Sequence, residues 1–378
     1  MRIEDLLRSI IEKKASDGFI TAGAPLAIKV DGQVYPISDH RLSEDEARAL
    51  VLSAMNESQQ EEFLRTRECN FALARDDIGR FRASALVQRG RFELVLRRIE
   101  TVIPEIDDLG LPRIIKDLSM TKRGLVIFVG ATGTGKSTSL AAMVGYRNQN
   151  SRGHIISIED PIEFIHEHGK CLVTQREVGV DTESFDVALK NTLRQAPDVI
   201  LIGEVRSAET MSQALTFAET GHLCLCTLHA NNANQALDRI LSFFPSDLHH
   251  QVWMDLSLNL KAMVAQQLLP RKDGKGRTPV VEILLNTPLV QDYIRKGEVH
   301  LIKELMAKST ELGMQTLDQS LIQSYKDNLI SVEEALRYAD SANEVRLAIK
   351  MFEKGRSGFE AHEDLSFDEA DRGRFMGR

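Results

Sequence analysis

A glycine-rich loop at residues 130–137 constrains the fold of this chain more than any other stretch. The segment reads GATGTGKS and matches the pattern G-x-x-x-x-G-K-[ST] at every fixed position. An apolar run, residues 124–129, precedes it, as a P-loop requires. We therefore expect a buried strand, a phosphate-binding loop and a helix that begins near Lys136.

The residue types of this loop fit the chemistry of nucleotide binding. Glycines let consecutive backbone N–H groups surround phosphate oxygens, and the following helix points its positive end at the same anion. Lys136 is expected to reach the β- and γ-phosphates of ATP, and the Ser137 hydroxyl to bind Mg²⁺. The alternative is a glycine-rich turn without a ligand. The predicted nucleotide-binding residues here are Gly130, Thr132, Gly133, Thr134, Gly135, Lys136, Ser137 and Thr138.

Length and composition narrow the class of protein. A chain of 378 residues is too long for one ordinary core, and 43% hydrophobic with 27% charged residues indicates a globular protein. A net charge of −8 argues against non-specific nucleic-acid binding. The start of the chain is acidic and no run of about 18 apolar residues occurs, so we expect a cytoplasmic location. The four cysteines are expected to be buried thiols.

The pattern along the chain predicts several regions. Residues 1–100 contain a helix, a hairpin around residues 31–32, a capped helix after Ser43 and three later strands, which together indicate a small α+β domain. The proline-containing segment 101–112 is predicted to be a linker. Strands then alternate with helices over residues 113–285, which favours a mostly parallel sheet. Residues 248–269 are assigned to helices. A helical region, 286–352, and a charged tail, 353–378, expected to be disordered, complete the chain.

Three apolar strands within residues 113–285 end in polar side chains. Because ligands of open α/β sheets bind at the carboxyl ends of strands, these side chains are expected to lie beside the P-loop. Glu204 ends a strand that we expect to neighbour the P-loop strand, where a water-positioning acid is needed. Gly203 precedes it, where many P-loop enzymes have a magnesium-binding Asp. Metal binding would then depend on Ser137 and Glu204.

Two further groups of residues leave alternatives open. Glu159, Asp160 and Glu163 could serve a cation or the reaction, or could cap a helix and face solvent. His222 and His229 bracket a strand and could sense the γ-phosphate, or could be ordinary structural histidines. The arginines of the first hundred residues could reach a neighbouring subunit's nucleotide, although their spacing alone favours solvated strand faces.

Four motifs occur in an order that resembles a known family. They are similar to the Walker A, Asp, Walker B and His boxes of the ATPases of type II and type IV secretion systems. Short segments at residues 15–17, 79–82 and 313–318 are similar to the pilus-retraction branch of this family, PilT and PilU. The four motifs are Gly130–Ser137 (GATGTGKS), Ile158–Phe164 (IEDPIEF), Val199–Arg206 (VILIGEVR) and Gly221–His229 (GHLCLCTLH).

The resemblance implies an architecture and a set of roles. It implies an α/β fold in which a PAS-like N-terminal α+β domain and a helical C-terminal region flank a RecA-like P-loop domain. It also implies a homohexamer that hydrolyses ATP with Mg²⁺ at the cytoplasmic face of the inner membrane and turns a membrane platform protein. The implied catalytic residues are Lys136, Glu163, Glu204, His222 and His229, and Arg82 and Arg97 would approach a neighbour's phosphates instead of solvent.

Departures from the PilT pattern favour the PilU side of the branch. Residues 289–293 read LVQDY where PilT typically has AIRNL, and Ser207 follows Arg206 where an aspartate is usual. We therefore expect an accessory motor of pilus retraction and twitching motility that depends on a PilT-type motor. The alternatives are an assembly or secretion ATPase of the same family and a nucleotide-gated scaffold for another motor ring.

Overall fold

The computed structural model describes residues 2–30, 32–75, 77–99 and 102–363. Two sheets organise this part of the chain, one within residues 17–98 and one within residues 124–285. The predicted hairpin turn at residues 31–32 lies partly outside the described residues, since Asp31 is not among them.

The N-terminal sheet has six antiparallel strands in the order β3-β2-β1-β6-β5-β4. The first helix buries a stripe of apolar side chains at helical spacing, and Ser43 and Glu46 form the predicted capping box at the start of the second. The elements are α1 (Ile3–Glu12), β1 (Asp17–Thr21), β2 (Pro25–Val30), β3 (Gln33–Arg41), α2 (Glu44–Ser53), α3 (Glu57–Thr66), β4 (Glu68–Arg75), β5 (Gly79–Gln88) and β6 (Arg91–Arg98).

An irregular segment, residues 102–113, connects the two sheets. It is anchored by its apolar side chains, because Ile106 and Leu111 are buried in the core of the second sheet. Ile103 passes over a glycine of the helix that follows the P-loop, and a Cβ at Gly145 would lie 3.7 Å from Ile103 Cγ2. The linker therefore packs on the second sheet's own helical layer.

The second sheet has seven strands in the order β13-β12-β7-β11-β10-β8-β9. Its strands are parallel except β13, as the alternation of strands and helices predicted. The elements are α4 (Ile114–Ser119), β7 (Gly124–Val129), α5 (Lys136–Asn150), β8 (Gly153–Glu159), β9 (Cys171–Glu177), α6 (Phe185–Thr192), β10 (Val199–Ile202), α7 (Ala208–Glu219), β11 (Leu223–Leu228), α8 (Ala233–Leu241), α9 (His249–Asn259), β12 (Leu260–Pro270) and β13 (Arg277–Leu285).

Two expectations about this sheet are wrong. The strand that leads to Glu204, β10, does not neighbour the P-loop strand β7, because β11 lies between them. Residues 260–269 form a strand instead of a helix. Their apolar run is nearly continuous, and periodicity alone cannot separate a buried strand from a buried helix in such a run. Pairing with β7 on one side and β13 on the other decides the conformation.

The C-terminal region is helical, as predicted. Its helices are α10 (Pro288–Lys296), α11 (Ile302–Lys308), α12 (Leu317–Lys326), α13 (Val332–Tyr338) and α14 (Ala342–Glu363). The buried side chains of α10 and α11 join a core of the second sheet. The last three helices pack with Leu269 and Val280 of the sheet in a separate apolar cluster.

The last helix overlaps the start of the charged tail predicted from residue 353, since α14 continues to Glu363. Val345 and Ile349 are buried in this cluster, and the Phe352 ring packs edge-on against Tyr325. Residues 364–378 of the predicted tail lie outside the described residues. No helix within the described ranges is long and apolar enough to cross a membrane. The predicted α/β fold class is confirmed.

Candidate nucleotide-binding and hydrolysis site

The P-loop connects β7 to α5 and leaves no room for a side chain at Gly130 or Gly135. Gly130 has φ +156°, and a Cβ there would lie 2.5 Å from Thr134 Oγ1 and 2.6 Å from the Gln266 carbonyl oxygen. Gly135 has φ +86°, and its Cβ would lie 2.8 Å from Gln266 Nε2. These two glycines are therefore required both by the backbone conformation and by the close approach of β12.

Lys136 closes the loop on itself. Its Nζ donates to the carbonyl oxygens of Gly130 at 2.7 Å and Ala131 at 2.9 Å. Only 8% of the residue is exposed, and burial lowers the pKa of Lys136, an effect that the charges of Glu204 and Glu163 oppose. The ammonium is thus held at the mouth of the loop, with both carboxylates close enough to influence it.

Gln266 is a buried contact of the P-loop that sequence reasoning missed. Its Nε2 donates to the Thr134 carbonyl oxygen at 2.9 Å, and its Oε1 accepts from Ser139 Oγ at 2.8 Å. The residue is 2% exposed, so both polar ends of its side chain are satisfied inside the protein. It was missed because residues 260–269 were assigned to a helix. A glutamine inside an otherwise apolar run was the available signal.

Glu204 lies between His229 and Arg206 at the end of β10. Its Oε1 is 3.0 Å from His229 Nε2, and its Oε2 accepts from Arg206 Nη2 at 2.6 Å. His229 Nδ1 is 3.1 Å from the Gly130 carbonyl oxygen. His229 therefore joins the P-loop to Glu204 directly, although β11 separates their strands.

The presence of glycine at position 203 has a steric explanation. A Cβ at this position would lie 3.1 Å from the Glu159 Cα, because the Gly203 N–H donates to the Ile158 carbonyl oxygen at 2.8 Å and draws the ends of β10 and β8 together. An aspartate would press on the β8 backbone. The departure that the sequence shows here thus follows from how closely these two strand ends pack.

Glu159 ends β8 and faces the same region. Its Oε1 accepts from Ser157 Oγ at 2.7 Å and from Gln175 Nε2 at 3.3 Å. Burial raises the pKa of Glu159 to about 7, while these two hydrogen bonds act in the opposite direction. The carboxyl group is consequently close to half-protonated near neutral pH.

These groups surround one cavity of about 520 Å³ at the carboxyl ends of the strands. Glu163, Glu204 and His229 face it together with most of the P-loop, so the structure brings together residues from all four motifs. Asp160, one of the three candidate carboxylates, also lines it, together with Arg206 and Arg277, which were not predicted to be site residues. The predicted residues that line it are Thr132, Gly133, Gly135, Lys136, Ser137, Thr138, Glu163, Glu204 and His229.

His222 does not line this cavity with His229 and lies at the opposite edge of the sheet. It precedes β11, and its carbonyl oxygen accepts from the N–H of Gly124, the first residue of β7. Six residues of strand, about 20 Å, separate that end of the sheet from the P-loop. Its Nδ1 contacts Thr220 Oγ1 at 3.1 Å and the Phe217 carbonyl oxygen at 3.2 Å. Because His222 and His229 flank opposite ends of β11, they lie at opposite edges of the sheet.

Arg82 and Arg97 lie on the N-terminal sheet, where they are paired in register on β5 and β6. The Arg97 side chain is 70% exposed and its Nε donates to Asp17 Oδ1 at 2.9 Å. In the described part of the chain, neither arginine lines the cavity around the P-loop.

The cavity offers few protein ligands for a metal. Among the residues that the structure describes, no three His, Cys, Asp or Glu side chains cluster as a metal site. Magnesium, however, usually binds one or two protein groups together with water and substrate phosphates. The Ser137 hydroxyl and the Glu204 carboxylate, both on the cavity wall, are oxygen donors of the kind that this ion prefers. The donor set fits Mg²⁺ that arrives with a nucleotide.

Comparison with known proteins defines the class. The chain belongs to the type II/IV secretion system protein family, whose model matches residues 1–337. It is 66% identical to the type IV pilus ATPase PilU of Pseudomonas aeruginosa, over 93% of this chain and 92% of that protein. It is 41% identical to the retraction ATPase PilT of the same organism, over 89% and 97% of the two chains.

A solved structure agrees with this placement. The pilus retraction motor PilT with bound ADP superposes on the chain with a TM-score of 0.85 and 39% identity, covering 91% of this chain and 98% of the other. The resemblance to the secretion ATPase family, inferred from four motifs, and to its PilT and PilU branch, inferred from three short segments, is confirmed.

Proposed function

We propose that this chain is a motor ATPase that powers type IV pilus retraction. The observation that carries the proposal is the convergence of Lys136, Glu163 and Glu204 on one cavity, in a chain 66% identical to a pilus ATPase over nearly its whole length. The retraction ATPase PilT has the same fold, and its solved structure contains ADP. ATP is therefore the proposed substrate.

The cavity supplies the parts that phosphoryl transfer to water requires. The P-loop N–H groups and Lys136 hold the phosphates, and Glu163 orients the attacking water and accepts its proton. Glu204 is held by His229 and Arg206, so its position depends on the state of the P-loop. Mg²⁺, when bound, neutralises phosphate charge, and Ser137 and Glu204 are the residues that would hold it.

The working form is proposed to be a homohexamer. Its support is that Arg82 and Arg97 lie away from their own chain's cavity while Arg97 is largely exposed. In a ring they would approach the phosphates held by a neighbour, as arginines do in other phosphoryl-transfer enzymes. Any part that His222 plays in catalysis would also lie between subunits, since it is at the opposite sheet edge.

The proposed partners are an inner-membrane platform protein of the pilus and a PilT-type motor. Their support is the similarity to PilU and PilT, together with the LVQDY segment and Ser207, which differ from the usual PilT pattern. The site of action is accordingly the cytoplasmic face of the inner membrane. The chain would act there as an accessory motor that depends on the second one.

Loss of turnover in two variants tests the enzymatic part. Lys136→Ala and Glu204→Ala should each abolish ATP hydrolysis by the purified chain. The matched controls are Lys308→Ala and Glu304→Ala, which break one exposed ion pair between helical neighbours and should leave turnover unchanged. Undiminished hydrolysis in either site variant would remove that residue from the mechanism.

A knockout tests the direction of the motor. Loss of a retraction motor leaves cells with excess surface pili and without twitching motility. Loss of an assembly ATPase would leave them without pili. Complementation with Glu204→Ala separates motor from scaffold, because a nucleotide-gated scaffold would restore motility without turnover.

A further inference from the structure

The segment between β8 and β9, residues 160–170, contains Glu163 and lacks regular secondary structure over most of its length. We call residues 160–168 the catalytic loop. Backbone N–H and C=O groups that approach the protein interior need hydrogen-bond partners. An irregular loop lacks the regular backbone hydrogen bonds of a helix or sheet, so other groups must supply these partners. The partners of this loop therefore decide where Glu163 stands.

Gln175 on β9 supplies two of these partners. Its Oε1 accepts from the His166 N–H at 2.8 Å, and its Nε2 donates to the Phe164 carbonyl oxygen at 2.9 Å. The same Nε2 is 3.3 Å from Glu159 Oε1. One side chain thus holds the loop on the far side of Glu163 and also contacts the end of β8.

The Glu177 carboxylate holds the near side, because its Oε2 accepts from the Ile162 N–H at 3.2 Å. The backbone N–H of Glu163 lies close enough to the Glu159 carboxyl group to oppose the rise in its pKa. In the register of the parallel pair, Glu159 lies opposite Glu177 and Ser157 lies opposite Gln175. Because side chains alternate along a strand, these four residues share one face of the β8–β9 pair. The loop is folded over that face.

We propose that Gln175, supported by Glu159 and Glu177, positions the catalytic loop so that Glu163 faces the nucleotide phosphates. Gln175 is a positioning residue: it lies outside the residues that line the nucleotide cavity in the described chain, and it acts through the loop backbone. This inference rests on the proposed function, because the step that it serves is the hydrolysis assigned to Glu163.

Glu177, which holds the loop at Ile162, is also influenced by the N-terminal sheet. Burial raises the pKa of Glu177, and the charges of Arg80 and Arg82 on β5 oppose this rise. The carboxylate that holds Ile162 is thus within electrostatic reach of the N-terminal arginines. Because Glu177 contacts the catalytic loop and is influenced by arginines of the N-terminal sheet, it links the relative position of the two sheets to the placement of Glu163.

The first test replaces Gln175 by an unbranched apolar side chain of similar length. In the full-length protein, Gln175→Met should lower kcat by between about ten- and a hundredfold, as expected for a misplaced catalytic group. The Kd for ADP with Mg²⁺ should stay within about threefold, because the P-loop contacts are untouched. The control is Gln315→Met, which removes an amide hydrogen bond to the Val281 carbonyl oxygen far from the cavity and should leave kcat unchanged.

Hydrogen exchange provides a readout that does not depend on turnover. Amides of residues 162–166 should exchange at least about tenfold faster in Gln175→Met than in the parent chain, while those of residues 130–137 should not change. A parent chain that hydrolyses no ATP would refute the proposed function, and the exchange measurement would still decide whether Gln175 holds the loop.

The remaining outcomes are also decisive. Parental kcat in Gln175→Met would overturn the proposal, and so would a proportional loss of kcat and ADP affinity, which indicates general damage. If that variant does not fold, Gln175→Glu takes its place. The carboxylate still accepts from His166 but cannot donate to Phe164, so a smaller loss of kcat with unchanged ADP affinity is expected, and parental kcat would refute the inference.

Discussion

The two loops that face the nucleotide cavity are built in different ways. The P-loop carries its conformation in its own residues, with glycines at Gly130 and Gly135, and it continues directly into α5. The catalytic loop, residues 160–168, depends on side chains of the neighbouring strand β9. Binding of phosphate is thus encoded locally, whereas the placement of the catalytic carboxylate depends on another element of the sheet.

The largest expected effect is a loss of kcat on substitution of Glu163, which separates catalysis by one loop from nucleotide binding by the other. Glu163→Gln should lower kcat by about 10² to 10⁴, the usual contribution of general acid–base catalysis, because an amide cannot accept the proton. Affinity for ADP should change little, since the P-loop remains intact. Stopped-flow turnover and calorimetric ADP binding measure the two quantities. Exposed Glu183→Gln is the matched control, and a large loss of ADP binding in Glu163→Gln would show that the two loops are not separable.

A smaller effect is expected on stability and depends on pH. The pKa of Glu159 is raised from 4.5 to about 7 by burial, so the folded state keeps a proton that the unfolded state loses within this range. Stability contributed by this group is full below pH 4.5 and is lost as the pH rises to 7, by roughly 3 kcal/mol at 1.36 kcal/mol per pKa unit.

Glu159→Gln tests this dependence, because glutamine does not titrate but keeps an acceptor for Ser157. The free energy of unfolding of Glu159→Gln, minus that of the parent chain, should rise between pH 4.5 and 7 and stay constant at higher pH. Urea denaturation at pH 5, 6, 7 and 8 measures the difference. A constant difference at all four pH values would show that the catalytic loop rests on a carboxyl group with an ordinary pKa.

The smallest expected effect concerns the P-loop's contact with β12. Gln266→Leu removes the bonds to Thr134 and Ser139, so the Kd for ADP should rise by about tenfold, equivalent to 1.4 kcal/mol. At saturating ATP, kcat should fall by less. The neighbouring Gln267→Leu is the control, since Gln267 Oε1 is buried without a hydrogen-bond partner. A loss confined to kcat would reverse the contrast between the two loops.

This contrast also explains what could be predicted from the sequence. The P-loop, the strands with terminal acids and the capping box at Ser43 are local patterns, and each was identified correctly. Gln266 contacts a residue 132 positions away, and Gln175 contacts residues 9 to 16 positions away. A glutamine inside an apolar run was a signal for Gln266, but the local pattern did not show what either side chain contacts, because those contacts arise from strand order. The same limit explains why β11 was not expected between β7 and β10.

The helix α5 has a mechanical consequence. Lys136 is its first residue, and Gly145, on which the linker residue Ile103 rests, is nine positions further along the same helix. At a rise of 1.5 Å per residue the two points are about 14 Å apart along one stiff rod. A displacement of the linker at Gly145 would be transmitted along this helix to the residue that holds the phosphates. The helix that follows the P-loop thus connects nucleotide binding with the segment that leads to the N-terminal sheet.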